Sequence, residues 1–90
     1  MKVVKTQFYQ QQLINILRYI AIDQPLNALS FERELQKKLE LIKEQPKISR
    51  PSHYHPNPNY RDLIHKGYTL IYKIEKQHIL LLDIFKWQGK

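Results

Sequence analysis

The stretch that decides the fold runs from Tyr60 to Gln88, YRDLIHKGYTLIYKIEKQHILLLDIFKWQ. Short runs rich in β-branched and aromatic residues predict three strands here, separated by tight turns at Lys66-Gly67 and Lys76-Gln77. The predicted strands are Tyr60 to His65, a second strand that begins at Tyr68, and His78 to Phe85. Consecutive strands with such short links form an antiparallel meander.

Alternation along these strands predicts which side chains share a face of the sheet. In the second strand, one face carries Tyr68, Leu70, Tyr72 and Ile74, and the other carries Thr69, Ile71, Lys73 and Glu75. In the third strand, Leu80, Leu82 and Ile84 are expected on the side that helices cover. Ile79, Leu81, Asp83 and Phe85 are then expected on the open side, next to Thr69, Ile71 and Lys73.

Upstream, Lys2 to Lys5 (KVVK) predicts a first strand, and apolar residues at helical spacing predict two helices. The first starts at Gln7 and stops before Pro25, and the second runs from Pro25 to Gln45, capped by Asp23 or Gln24. The apolar faces are Leu13, Ile14, Leu17, Ile20 and Ala21 in the first helix and Ala28, Phe31, Leu35, Leu39 and Ile42 in the second.

These elements predict an α+β fold in a single domain, residues 1–90. An N-terminal strand is followed by an antiparallel helical hairpin and then by the three-stranded antiparallel meander, in one sheet that is covered on one face. Between helix and meander, residues 45–59 are a proline-rich loop of a length that is usually functional or mobile.

The charge balance points to an anionic partner. The 90 residues include 15 Lys and Arg against 8 Asp and Glu, a net charge of +7, and no cysteine. Such an excess suits nucleic acid, an acidic protein or a machine that carries nucleic acid. No apolar run resembles a signal peptide or reaches the length of a membrane span, so a cytoplasmic protein without membrane contact is expected.

The open face of the sheet is predicted to expose a mixed surface of Ile71, Ile79, Leu81 and Phe85 among Lys73, Asp83, Lys86 and Trp87. Exposed apolar patches that are rimmed by charge usually mark protein-binding sites. The alternative is that loop 45–59 folds back over this face. Asp83 is expected to pair with Lys73, and His65 and His78, which flank turns, are expected at the solvated surface.

Motifs for catalysis or cofactor binding are absent from the sequence. It has no glycine-rich phosphate loop and no serine or cysteine nucleophile motif. His53 and His55 have no Cys, Asp or Glu close by to complete a metal site. We therefore predict no metal and no cofactor.

The order strand, helix, helix, strand, strand, strand resembles the RelE/ParE superfamily of bacterial toxins. The motifs that carry the resemblance are Arg61-x-Leu63, Gly67-Tyr68-Thr69-Leu70-Ile71-Tyr72 and Leu82-Asp83-Ile84-Phe85-Lys86-Trp87-Gln88, with Arg50 in the loop. The resemblance implies a plasmid-stabilising or growth-inhibiting toxin of a type II toxin–antitoxin system. Its partner would be a cognate antitoxin that is acidic and partly disordered.

Two targets are compatible with this resemblance. RelE-like members cleave mRNA on the ribosome without a metal, and here Arg61, Lys73 and Lys86 would act on phosphates. ParE-like members bind DNA gyrase and have no catalytic residues. RelE-like enzymes carry arginine after the Gly-Tyr pair, where this chain has Thr69, and no later arginine follows Lys86. The ParE-like alternative, a binding protein, is favoured. The residues expected to contact target or antitoxin are Arg50, Arg61, Thr69, Ile71, Lys73, Asp83, Phe85, Lys86, Trp87 and Gln88.

Overall fold

The computed structural model describes residues 1–86. Its elements are β1 (Lys2–Lys5), α1 (Gln7–Asp23), α2 (Pro25–Glu44), a 3-10 turn (Pro46–Ile48), β2 (Arg50–Pro51), β3 (Tyr60–His65), β4 (Tyr68–Ile74) and β5 (His78–Lys86). The strands form one sheet in the order β1-β5-β4-β3-β2. The pair β1–β5 is parallel and the other pairs are antiparallel. This confirms the predicted α+β fold. Residues 45–59 contain more structure than the loop that the sequence predicted.

The helix ends follow from local chemistry. Thr6 caps α1, because the Tyr9 backbone N–H donates to its hydroxyl at 3.1 Å, and that hydroxyl donates to the Leu81 carbonyl at 2.8 Å. The same residue therefore starts the helix and ties it to β5. Pro25 occupies the first turn of α2, where its missing N–H costs nothing. Gln24 is the N-cap residue of α2, but its side chain makes no capping bond.

The helical hairpin packs on one face of the sheet, and the core lies between them. The predicted stripe of α2 is confirmed, since Phe31, Leu35, Leu39 and Ile42 are buried. In α1 the placement of Ile14 on the inner face is wrong, because its side chain is 43% exposed. The inward stripe of α1 is formed by Tyr9, Leu13, Ile16, Leu17 and Ile20.

A β-bulge in β5 changes which side chains face the helices. The pairing of β4 with β5 passes from Ile71↔Asp83 to Tyr72↔Leu81, so Leu82 has no partner in β4. One extra residue reverses the alternation on one side of the bulge. Ile79, Leu81 and Ile84 are therefore fully buried in the core, whereas Leu80 and Leu82 are half-buried. The predicted positions of Ile79 and Leu81 on the open side, and of Leu80 on the helix side, are wrong for this reason.

The predicted turn between β3 and β4 is confirmed, and its backbone explains its sequence. Lys66 and Gly67 have φ angles of 50° and 84°. Two successive positive φ values match the right-handed twist of a two-residue hairpin, and glycine adopts them most easily.

Among residues 1–86, neither helix combines the length and the apolar character needed to cross a membrane.

Candidate functional site: the open face and the α1–β5 groove

The sheet face that points away from the helices is here called the open face. Strand register places on it Val4, Arg50, Tyr60, Asp62, Ile64, Thr69, Ile71, Lys73, Leu80, Asp83 and Phe85. Several of its apolar side chains, Val4, Ile71, Leu80 and Phe85, are only half-buried. This mixture of partly exposed apolar and charged side chains is the surface type that binds other proteins.

The loop of residues 52–59 folds over part of the open face, as the alternative prediction had it. The Tyr54 ring packs edge-on against Phe85 with centroids 5.2 Å apart, and His55 stacks on Tyr60 at 3.6 Å. The His53 backbone N–H donates to the Asp62 carboxylate at 3.0 Å. The loop is thus fastened at three points, while Ile71 and Leu80 stay partly accessible.

A buried polar cluster lies on the open face. Asp62 is 2% exposed, and Arg50 lies 3.4 Å from its Oδ2 atom. Within residues 1–86, Asp62 Oδ1, Arg50 Nε and Thr69 Oγ1 are buried without a hydrogen-bond partner. Buried polar atoms without partners are costly. The helix-covered side has such atoms as well, at the Tyr9 hydroxyl and His65 Nδ1.

The structure places Thr69 on the open face, but its side chain is 0% exposed. Direct contact of Thr69 with a partner, as the sequence suggested, is not possible in this conformation. Ile71, Lys73 and Phe85 are half-buried and Lys86 is exposed, so all four are accessible to a partner. Trp87 and Gln88 lie outside the described residues.

Arg61 lies opposite Tyr72, on the helix side of the sheet. Its guanidinium donates to the carbonyl oxygens of Pro58 and Ser49, both at 3.1 Å. These bonds join the residue before β2 and the end of loop 52–59 to β3, which is a bracing role.

The predicted pairing of Asp83 with Lys73 is wrong. The bulge sets Asp83 opposite Ile71, whereas Lys73 lies opposite Leu80. Asp83 instead accepts a hydrogen bond from Gln12 Nε2 at 3.4 Å. Lys73 is 3.6 Å from Glu75, and its ammonium lies 5.5 Å from the centre of the Tyr60 ring.

The three cations considered for phosphate chemistry do not converge. Arg61 and Lys73 are on opposite faces of the sheet. Lys86 pairs with Tyr68, five residues along β4 from Lys73. At about 3.4 Å per residue, the backbones of Lys73 and Lys86 are about 17 Å apart along the strand. A cationic site around one phosphate is therefore not formed by these three residues.

The placement of His65 at the surface is wrong. It is 1% exposed, its Nε2 donates to the Phe31 carbonyl at 3.1 Å, and its ring packs edge-on against Phe31. Burial lowers the pKa of His65, and the hydrogen bond to Phe31 opposes that shift. His65 follows Leu63 by two residues in β3, so the two side chains share one face of the sheet. This spacing was the sequence signal for the inward position of His65. His78, by contrast, is half-buried and lies 2.7 Å from Glu75.

A groove between α1 and β5 was missed by the sequence reasoning. It has a volume of about 330 Å³ and is lined by Gln12, Asn15, Ile16, Tyr19, Tyr68, Ile84, Phe85 and Lys86. It arises because β1 ends at Lys5, opposite Leu81. In the part of the chain that the structure describes, no strand pairs with Leu82–Lys86 on that side. Next to the groove, the hairpin tip exposes Tyr19, Ile22 and Leu26, with Ile22 81% exposed.

The fold and these surfaces can be compared with known proteins. Residues 3–87 match the family described as "ParE toxin of type II toxin-antitoxin system, parDE". The chain belongs to the ParE toxin family. A solved structure titled "Chromosomal ParDE TA system from P. aeruginosa" shares its fold with a TM-score of 0.69 and 20% sequence identity, covering 98% of this chain and 97% of that chain. No curated protein matches. ParE family membership agrees with the resemblance seen in the sequence, and this chain is accordingly a type II toxin.

Proposed function

We propose that this ParE family chain inhibits growth in the cytoplasm by binding DNA gyrase, and that a cognate antitoxin neutralises it. The toxin acts as a binding module and does not cleave nucleic acid. The observation that carries this choice is the separation of Arg61, Lys73 and Lys86. Phosphoryl chemistry needs several cations around one developing charge, and these residues do not supply it.

The surface proposed to bind the target is the accessible part of the open face. Ile71, Leu80 and Phe85 offer partly exposed apolar area, and Lys73 adds a cation. A binding surface with an apolar centre and a charged rim is the usual anatomy of a protein interface.

The surface proposed to bind the antitoxin is the α1–β5 groove. It presents apolar side chains, Lys86 at its rim and, within residues 1–86, a strand edge that no other strand pairs with. This suits an extended, acidic segment that orders on binding. The net charge of +7 favours such a partner. Exposed Tyr19 and Ile22 extend the apolar area onto the hairpin tip.

Two assays run side by side test the target. We expect the purified chain to inhibit DNA supercoiling by gyrase and to leave ribosome-bound mRNA intact. Lys73→Gln and Lys86→Gln variants are included in both assays. Message cleavage that is lost in either variant would contradict the proposal and establish the RelE-like endoribonuclease alternative.

Neutralisation by the antitoxin is tested by expressing the chain in cells. We expect growth arrest that the product of the adjoining gene relieves. Tyr19→Asp, in the groove, should escape this relief while remaining toxic. Ile48→Asp is the matched control, because Ile48 is also exposed but lies beyond the far end of α2. Equal relief of both variants would refute the groove as the antitoxin site.

A further inference from the structure

A second cleft, at the opposite end of the sheet from the α1–β5 groove, gathers three lysines. It has a volume of about 480 Å³ and is lined by Lys47, Asn59, Lys73, Ile74, Glu75 and Lys76. The lysines come from different places in the chain: the 3-10 turn after α2, β4, and the turn that follows β4. We call this the lysine cleft.

The charge of the lysine cleft is only partly compensated. Among the described residues that line it, Glu75 alone is acidic, and it is shared between Lys73 at 3.6 Å and His78 at 2.7 Å. Within residues 1–86, Lys47 and Lys76 form no salt bridge, and both are exposed. Three cations around one depression repel one another, and a bound anion would relieve that repulsion. The Asn59 amide adds a neutral donor.

An aromatic stack lies directly beside the cleft. The Lys73 ammonium sits over one face of Tyr60 at 5.5 Å, and the Tyr60 ring stacks with His55 at 3.6 Å, with an interplanar angle of 12°. His55 is at the exposed end of this stack. Its orientation is fixed further by a hydrogen bond from the Asn57 backbone N–H to His55 Nδ1 at 3.2 Å.

We propose that the lysine cleft and the adjoining stack bind single-stranded nucleic acid. The phosphates lie against Lys47, Lys73 and Lys76, and a base stacks on the exposed ring of His55. Basic grooves lined with aromatic rings bind single strands in this way, because an unpaired base offers a free π-face. Bases inside a duplex have both faces covered, so the stack favours single strands.

This binding involves no bond cleavage, and it goes beyond the inhibition of gyrase proposed above. It concerns the isolated chain, without gyrase, ribosome or antitoxin. A negative result here therefore leaves the proposed target intact, and a failure to inhibit gyrase leaves this site intact.

Fluorescence anisotropy with labelled oligonucleotides of one sequence tests the proposal, using single-stranded DNA, single-stranded RNA and duplex DNA. We expect both single strands to bind more tightly than the duplex. Their affinity should fall with salt with a log–log slope of roughly −2, since each phosphate contact in a single strand contributes about −0.7. Comparison of the DNA and RNA arms shows which sugar is preferred.

The lysines are tested with Lys47→Gln/Lys76→Gln, which should weaken binding about tenfold and reduce the slope by about 1.4. The matched control is Arg18→Gln/Arg33→Gln, which removes the same charge from exposed positions on the two helices. If the control loses as much affinity as the cleft variant, binding is a property of the net charge and the proposal is wrong.

The stack is tested with His55→Ala, which should weaken single-strand binding roughly fivefold or more and leave the salt slope unchanged. His53→Ala is the control, because this neighbour is also exposed and its contact with Asp62 uses only the backbone. Equal affinity of wild type and His55→Ala, or duplex binding as tight as single-strand binding, would overturn the single-strand proposal.

Discussion

The two faces of the sheet differ in how completely their side chains are buried. The helix-covered face buries Leu70, Tyr72, Ile79, Leu81 and Ile84 completely, against apolar side chains of both helices. The open face combines half-buried apolar residues with the buried Asp62 carboxylate, which pairs with the partly exposed Arg50. The difference indicates that the helix-covered face supplies most of the core that holds the fold together.

The largest expected effect compares the same substitution on both faces. Leu70→Ala, at a fully buried position, should lower the free energy of unfolding by about 3 kcal/mol, because it removes core contacts and leaves a cavity. Leu80→Ala, at a half-buried position of the open face, should cost about 1 kcal/mol. Urea unfolding measures both. Equal losses would mean that the open face is part of the core.

A smaller effect is expected at the buried charge of the open face. Arg50→Met should cost about 2 kcal/mol, because the Asp62 carboxylate stays buried without its cation while the exposed part of Arg50 is already screened by solvent. Adding Asp62→Leu removes the remaining charge and should recover at least half of that loss in the same urea experiment. A double variant no more stable than Arg50→Met would show that Asp62 is not the source of the cost.

The smallest expected effect is the loss of folding stability at acidic pH, and it arises on the helix-covered face. Burial lowers the pKa of folded His65 below the ordinary value of 6.5. The unfolded chain therefore takes up a proton first as the pH falls, and unfolding becomes easier. Stability should decline as the pH falls through 6.5 and level off below the lowered pKa. The charged groups near this ring are Lys38 and Lys66, which lower its pKa, and Glu34, which raises it.

The measurement is the urea midpoint between pH 8 and pH 5. His65→Gln should lose this part of the pH dependence. His53→Gln removes an exposed histidine and should retain it, because that side chain is solvated before and after unfolding. If His65→Gln follows the wild-type curve throughout, protonation of the core histidine does not drive the acid effect.

The sequence predicted the elements of the fold because their signals are local. Pro25 and Pro46 delimit α2, and Lys66-Gly67 defines a turn whose φ angles are both positive. The faces of β5 were not predictable in the same way. Its run of apolar residues fits either parity, and the bulge at Leu82 depends on pairing with β4.

The candidate site was predicted less well, for related reasons. The pairing of Asp83 and the burial of Thr69 depend on that bulge and on where loop 52–59 lands, and both are tertiary features. The α1–β5 groove exists only because β1 is short relative to β5, which requires knowledge of the register between distant segments. The surface position predicted for His65 is wrong because His65, although next to a turn, shares the helix-covered face of β3 with Leu63.

The short first strand has a consequence for the protein alone in solution. Within residues 1–86, no strand pairs with one side of β5 beyond Leu81, so backbone N–H and C=O groups there can bind an extended chain. Natural sheets usually guard such edges with charge, proline or a covering segment, since an unguarded edge promotes aggregation. Here the side chains that line and protect this edge are Lys86 and the amides Gln12 and Asn15. Aggregation of the free chain should therefore increase with protein concentration, and a partner that occupies the edge would also prevent it.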